Sequence, residues 1–471
     1  MICTRNVHFN NAGASPSPSQ VLDVQFEHMR LESEVGAYRA AELACDKVDK
    51  VYTSVAQLIG ACYNNIASSE YNARNEIALT ESATVAWTRV FYSMLEPKER
   101  ELISQQRNQQ EMIILVSEAE YAANVVAAVK FARDHTQLSG VKWRVVGIPS
   151  SVITKGTTRI SAGIVDLDSL RSILEGRVDD INPTSIAMIC ITHIPTNCHI
   201  VNPVEEIGNM IHDFNTREQH KGVLPSIFYL VDACQSVGQL VINVQDMKCH
   251  ALAATGRKYL RGPRGTGFLY VQKDIANALQ PSHIDHAAAP VVRVMSQPPN
   301  QGVCAGLEEV NEYGLLHSYQ PGAARFEFWE ANIAARLGLG AAIDVSLEIG
   351  MHQIENLCST HGQLLRKRLA AIDRVNVHHY NDLDQKMCGI VTFWCDGIEA
   401  STIKEKLQIN DRGDGCCFHL SIVPATSTPL DSSRTGLGMK QLLRASLSYF
   451  NTEDEIDLFC KALQSILHSA A

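Results

Sequence analysis

Two stretches of the chain hold residue types that can do covalent chemistry. The first is Phe228-Tyr-Leu-Val-Asp-Ala-Cys-Gln-Ser-Val-Gly238, an apolar run that ends in an acid. Its shape is that of a buried strand, and ligands of α/β sheets gather at the carboxyl ends of strands. Burying the charge of Asp232 is costly unless something pairs with it. The second stretch is Ala254-Thr-Gly-Arg-Lys-Tyr-Leu-Arg-Gly-Pro-Arg-Gly-Thr-Gly267, with Lys258 26 residues after the acid. That interval has room for a helix and a short strand. The glycines let backbone approach a ligand closely. A lone lysine is ordinarily a solvated surface charge, but one set between Thr255-Gly-Arg257 and a Gly-Pro-Arg-Gly turn, after a strand-end acid, is a candidate nucleophile or base.

Other segments offer binding groups. Thr80-Glu-Ser-Ala-Thr84 precedes a helical Val85–Leu95. A small polar loop opening a helix presents N–H groups and the positive end of the dipole to an anion. Its plainer reading is an ordinary N-cap. Thr192-His-Ile-Pro-Thr-Asn-Cys-His-Ile-Val-Asn-Pro203 follows another apolar run. His193 and His199 lack the acidic partners and spacing of a metal site, so no metal is expected.

The elements that must position these groups alternate along the chain. Strand-like runs occur at Met112–Val116, Trp143–Ile148, Ile186–Thr192, Ile227–Val231 and Thr266–Val271, with helical segments such as Val204–Phe214 between several of them. This alternation predicts an α/β unit with a mainly parallel sheet. A turn-rich Phe9–Pro16 comes first, then a helical stretch from Val21 to Ile59, broken near Gly36. Pro281 to Ala324, with weak periodicity and Pro290, Pro298, Pro299, Gly302 and Gly306, reads as a long connection or lid. A helix at Ala331–Ile349 leads to a smaller α+β unit with a strand at Gly389–Trp394 and a last helix at Glu453–Ser469.

Composition narrows the partners. The 471 residues carry a net charge of −10 and no block of Lys and Arg, against a nucleic-acid partner or a polybasic membrane anchor. No apolar run is long enough for a membrane span, and the N-terminus has no secretory core, so a cytoplasmic location is expected. The 14 cysteines show no CxxC pair or zinc spacing and read as reduced thiols.

The strings around Asp232 and Lys258 together resemble the class V aminotransferases. That family of fold-type I pyridoxal 5′-phosphate (PLP) enzymes includes cysteine desulfurases, isopenicillin N epimerases and ergothioneine C–S lyases. The resemblance spans nearly the whole chain. It implies a large domain with a mainly parallel seven-stranded sheet flanked by helices, and a smaller α+β C-terminal domain. The implied boundaries are an N-terminal segment lining the site (1–20), a PLP-binding domain (21–285), a lid or connection (286–330) and the small domain (331–471). The resemblance also implies a homodimer acting on a small amino-acid substrate, with a sulfur-containing one among the candidates.

The resemblance also implies roles. Lys258 matches the lysine that carries PLP as a Schiff base and moves the α-proton. Asp232 matches the acid that keeps the pyridine nitrogen protonated. Gln235 matches a contact to the ring hydroxyl, and Asn197 a hydrogen bond to the ring. Ser82, Ala83 and Thr84 match the phosphate loop. Thr255 and Arg257 stand where relatives often have Ser and His as phosphate ligands. In Ser117-Glu-Ala-Glu-Tyr-Ala-Ala-Asn124, Tyr121 takes the place of a His that stacks on the ring; without the family it is simply a core aromatic. Arg444, in Leu443-Arg-Ala-Ser446, matches the residue that grips the substrate carboxylate, and Asn11 a segment lining the substrate pocket. Relatives reach across the dimer to the phosphate from the region of Arg325–Asn332. Here Trp329-Glu330 replaces Gly-Thr, and a Glu repels phosphate, leaving Arg325 as the group that could help.

Desulfurases need a thiol to take up sulfur. In the branch that this sequence resembles, that cysteine begins a Cys-Ala-Gln-Pro-Leu string, and Thr426-Ser-Thr-Pro-Leu430 stands there instead. Cys416 and Cys417 lie upstream. The resemblance therefore points to a C–S lyase working by β-elimination, with an aminotransferase or epimerase as alternatives and desulfurase demoted.

Overall fold

The computed structural model describes residues 5–61, 71–105, 110–155, 158–218, 223–293, 315–378, 387–409, 415–431 and 440–469. Strand β1 (Arg5–His8) is followed by three helices, α1 (Ser19–Val35), α2 (Ala37–Leu43) and α3 (Cys45–Leu58). The expected break falls at Gly36, whose φ of +85° no side-chain-bearing residue adopts comfortably. A second break, at Ala44, has no glycine or proline to announce it.

Strands β2 (Ile77–Thr80), β3 (Glu111–Ser117) and β4 (Lys142–Ile148) alternate with helices α4 (Ala83–Ser104) and α5 (Ala122–Ser139). A hairpin, β5 (Ser150–Lys155) and β6 (Thr158–Val165), precedes β7 (Ile186–Thr192), β8 (Phe228–Asp232), β9 (Ala251–Thr255) and β10 (Gly267–Val271). Seven of these strands form one sheet in the order β2-β10-β9-β8-β7-β3-β4. Only β10 runs against its neighbours. The sheet is the mainly parallel one expected from the alternating runs.

Every residue of β2, β7, β8, β9 and β10 is buried. Such strands are apolar throughout because helices cover both faces. Ile189, Tyr229 and Leu252 belong to one core, while Cys190, Leu230 and Ala253 belong to the other. The register sets Thr192 beside Asp232, Asp232 beside Ala253, and Gly267 between Thr255 and Thr80. One edge of the sheet therefore carries Thr80, Ser117, Thr192, Asp232 and Thr255 at strand ends.

The C-terminal part has its own core around a four-stranded antiparallel sheet of Val375–Val377, Ile390–Cys395, Gln441–Ser446 and Ser421–Pro424. Strand β1 pairs in parallel with Cys416–His419, and Phe9 packs 5.4 Å from the ring of Phe459. Of the supposed lid, 294–314 lies outside the described residues, and with it Pro298, Pro299, Gly302 and Gly306.

Candidate active site

The strand ends meet in one cavity. It is lined by Ser82, Ala83, Thr84, Tyr121, Asp232, Gln235, Thr255, Arg257 and Lys258, and also by Thr192, Ile194, Thr196 and Cys234. Nine residues singled out from the sequence thus share a single pocket, though they come from four separate segments.

At one end lies the start of α4. The Ser82 Oγ accepts a hydrogen bond from the Val85 N–H at 3.2 Å, and the first turn carries no acid. The positive end of a 22-residue helix faces the cavity without a counter-charge. Gly267 lets β10 pass backbone to backbone against this helix start. A Cβ at that position would stand 2.7 Å from the Ser82 carbonyl carbon and 2.8 Å from the Ala83 nitrogen. The site fits a phosphate.

At the other end is Asp232. Its Oδ1 accepts from the Cys234 N–H at 2.9 Å and its Oδ2 from the Asn124 side-chain N–H at 2.9 Å. Among the described residues no cation forms an ion pair with it. Lys258 is 9% exposed, and its amine has no hydrogen-bond partner among the described residues. Burial holds this amine below the ordinary lysine value; attraction to Cys234 and Asp232 opposes the shift, while Arg257 and Arg444 add to it. A depressed amine pKa supplies the neutral form that attacks an aldehyde. Tyr121 caps α5 at the mouth, 39% exposed, its backbone N–H donated to Thr192 Oγ1 at 3.2 Å. Burial, first of all, raises its phenol pKa, which keeps it neutral.

Gln235 donates its amide N–H to the Ala12 carbonyl (3.1 Å) and to Thr196 Oγ1 (3.0 Å), and its Oε1 is buried without a partner. An orphaned acceptor in a cavity wall suits a ligand that carries a hydroxyl. Uncompensated helix terminus, strand-end carboxylate, unpartnered amine and orphaned amide oxygen together match the phosphate, ring nitrogen, aldehyde and hydroxyl of PLP.

Some sequence candidates sit differently. The Arg257 guanidinium donates to the Gly13 carbonyl, so it braces the N-terminal segment as well as lining the cavity. The Asn197 amide turns away from the cavity and donates to Ser427 Oγ at 3.0 Å. Asn11 is fully buried and bonds Ser446 O (2.8 Å) and Asn451 Oδ1 (3.3 Å); its neighbour Ala12, through a backbone carbonyl, reaches the site instead. Arg325 is buried and donates through Nε to the Gln320 carbonyl and through Nη1 to the carbonyls of Asn277 and Leu279. Trp329 is exposed.

Arg444 stands just behind the cavity wall. It donates to Ser421 Oγ (2.9 Å) and to both the carbonyl (3.0 Å) and hydroxyl (2.8 Å) of Thr196. No carboxylate pairs with it among the described residues, and burial lowers its pKa to about 10. Thr192, Thr196, Cys234 and Asn124 went unnoticed in the sequence as site residues. All four lie inside the quoted strings, and the two threonines carry no signal beyond following a strand.

The fold and the cavity define a fold-type I PLP enzyme. The class-V aminotransferase family model matches residues 158–459, and the chain belongs to that family. A probable cysteine desulfurase of Synechocystis sp. is 25% identical over 466 residues, covering 98% of this chain and 91% of that protein. Among solved structures, cysteine desulfurase from Thermococcus onnurineus superposes with a TM-score of 0.72 at 18% identity, covering 98% of this chain and 95% of that one. The cystine C–S lyase C-DES, solved with its product cysteine persulfide, gives 0.67 at 17% identity, covering 97% of each chain. The protein is a PLP-dependent enzyme.

Proposed function

We propose that this enzyme cleaves the carbon–sulfur bond of a sulfur-containing amino acid by β-elimination and releases the sulfur fragment into solution. The observation that carries this reading is Thr426. It stands, 1% exposed, in the string where the branch that this sequence resembles carries its sulfur-accepting cysteine, and the adjoining Ser427 accepts a hydrogen bond from Asn197. A hydroxyl cannot take up sulfur.

When bound, PLP supplies an electron-withdrawing ring that stabilises negative charge at the substrate Cα. The protein does the rest. The N–H groups at the start of α4 hold the phosphate. Asp232 holds a proton on the ring nitrogen. Arg444 orients the substrate carboxylate, leaving the Cα–H toward Lys258. Lys258 Nζ takes the α-proton, and the Cβ–S bond then breaks with its electron pair on sulfur. Hydrolysis of the remaining fragment gives pyruvate and ammonia.

Cysteine desulfurase is the second reading, favoured by the names of the relatives in Synechocystis sp. and Thermococcus onnurineus. It needs a thiol at the substrate. Cys416 and Cys417 are buried in the strand beside β1. Cys234 does line the cavity, but burial and the neighbouring Asp232 push its thiol pKa well up, which disfavours the thiolate.

The experiment incubates pure enzyme with cysteine, cystine, a cysteine S-conjugate, and an amino acid with a keto acid. Pyruvate and ammonia in equal amounts support elimination. Alanine with a protein-bound persulfide would establish the desulfurase instead, and a new amino acid from the keto acid an aminotransferase. We also propose a homodimer. Helix α1 exposes Leu22, Phe26 and Met29, each more than two-fifths accessible, in one stripe, a face suited to a second copy. Sedimentation as a single chain would end that part of the reading.

A further inference from the structure

Behind Asp232 lies a second acid that the reaction above does not use. Glu120 is fully buried, in the turn between β3 and α5. Its Oε2 accepts from Ser117 Oγ (2.8 Å) and from the Thr192 N–H (2.8 Å). Its Oε1 accepts from the Asn124 side-chain N–H (2.9 Å) and is bonded to Thr192 Oγ1. Four donors converge on one carboxyl group, and no cation accompanies them among the described residues.

Asn124, itself buried, joins the two acids. Its amide nitrogen donates one hydrogen bond to Glu120 Oε1 and another to Asp232 Oδ2, both at 2.9 Å. The Asp232 carboxylate is thus fixed from behind by Asn124 and from the side by the Cys234 N–H. Thr192, bonded to Glu120, also receives the N–H of Tyr121. One buried acid therefore organises both the group at the ring nitrogen and the residue at the ring face.

We propose that Glu120 is a positioning residue for the cofactor: through Asn124 it orients Asp232, and its negative charge strengthens the hold on the protonated pyridine nitrogen. A carboxylate buried with no counter-ion is costly, and two of them joined by one amide are costlier. A cation arriving at Asp232 relieves both. Burial raises the Glu120 pKa to about 7, the Thr192 and Asn124 hydrogen bonds oppose the rise, and the charge of Asp232 adds to it. The other titratable groups that interact with Glu120, the Cys190 thiol on β7 and the Tyr229 phenol on β8, are pushed well above their ordinary values and stay neutral. Asp232 and Glu120 are then the two charges that act on the ring nitrogen from this side.

This inference rests on the pairing of Asp232 with the ring nitrogen. The test compares binding of two ligands to the full chain resolved from PLP: PLP itself, and its 1-deaza analogue, in which carbon replaces the ring nitrogen. Phosphate and aldehyde are common to both, so the ratio of affinities isolates the nitrogen. Wild type is expected to favour PLP. Glu120→Gln is expected to shrink that preference by about three- to tenfold, the order expected of a unit charge acting across one side chain at the effective dielectric of a protein interior. Glu120→Asp, which keeps the charge, is expected to retain most of it.

Equal weakening of both ligands in Glu120→Gln would mean that the residue only supports the scaffold, and the proposal would fall. Should that variant not fold, wild type alone decides. Its preference for PLP should grow between pH about 6 and about 8 as Glu120 ionises, and a flat ratio overturns the idea. If wild type binds both ligands equally, the Asp232 assignment fails first and takes this inference with it.

Discussion

Gly267 lies so close to Ala83 that a Cβ at position 267 would stand 2.8 Å from the Ala83 nitrogen. That nitrogen opens α4, where a phosphate is to be held. Strand β10 and the helix start touch backbone to backbone, and nothing flexible can yield. Gly267→Ala is expected to destabilise the fold by about 1–3 kcal/mol, as overpacking does. Weakening of PLP binding by about tenfold should accompany it, because the displaced N–H groups are the phosphate's partners. Equilibrium dialysis reads the second effect. Unchanged PLP affinity would place the phosphate elsewhere.

Arg444 offers a planar fork that lysine cannot copy. Arg444→Lys is expected to raise KM for the amino-acid substrate by about tenfold, the loss of one bidentate carboxylate contact. Thr196→Val removes the hydroxyl that holds Arg444 and receives the Gln235 amide. It should raise KM by a smaller factor, about threefold, as one lost hydrogen bond does. An amine substrate without a carboxylate should not distinguish wild type from Arg444→Lys.

The buried amine of Lys258 makes the PLP-free protein sensitive to pH. Its folded pKa lies below the ordinary value of 10.5, so the unfolded chain binds more protons as pH falls. The contribution of this group to stability is therefore fully present above 10.5 and is lost as pH falls through the folded pKa. Lys258→Met has no such proton to bind. Its melting temperature should exceed that of PLP-free wild type at neutral pH, and the gap should narrow as pH rises. A constant gap would contradict the shift.

Thr426→Cys places a thiol where the elimination reading lacks one. With cysteine as substrate, this variant is expected to form a protein persulfide and some alanine, where wild type gives pyruvate. Mass spectrometry of the intact chain detects the added sulfur. Alanine from wild type at the same rate would show that the thiol at 426 is not what separates the two reactions.

Five of the seven sheet strands were legible as apolar runs, and β7 matches its expected limits residue for residue, whereas β2 (IALT) and β9 (ALAAT) are too short and alanine-rich to stand out. Asp232 and Lys258 were legible because a strand-end acid and a glycine-flanked lysine are rare company. Three features of the site were not. Ala12 acts through its carbonyl, which any residue carries, so the polar Asn11 drew notice in its place. Thr196 and Asn197 are adjacent, and only the fold decides which side chain meets Arg444. Glu120 sits between a strand and a helix, where an acid ordinarily faces water. Its burial arises from β7 and β8 closing over the turn, a long-range event with no local pattern.

The strap formed by residues 9–15 bears on how the enzyme is made. Phe9, Asn11 and Ala12 bond to Ser446, and Ala12 also accepts from Gln235. Residues 9–15 are synthesised long before Ser446 and must wait for it before they have a place to lie. Until then the pocket stands open on that side, so secure capture of the vitamin belongs to the finished chain and not to the nascent one.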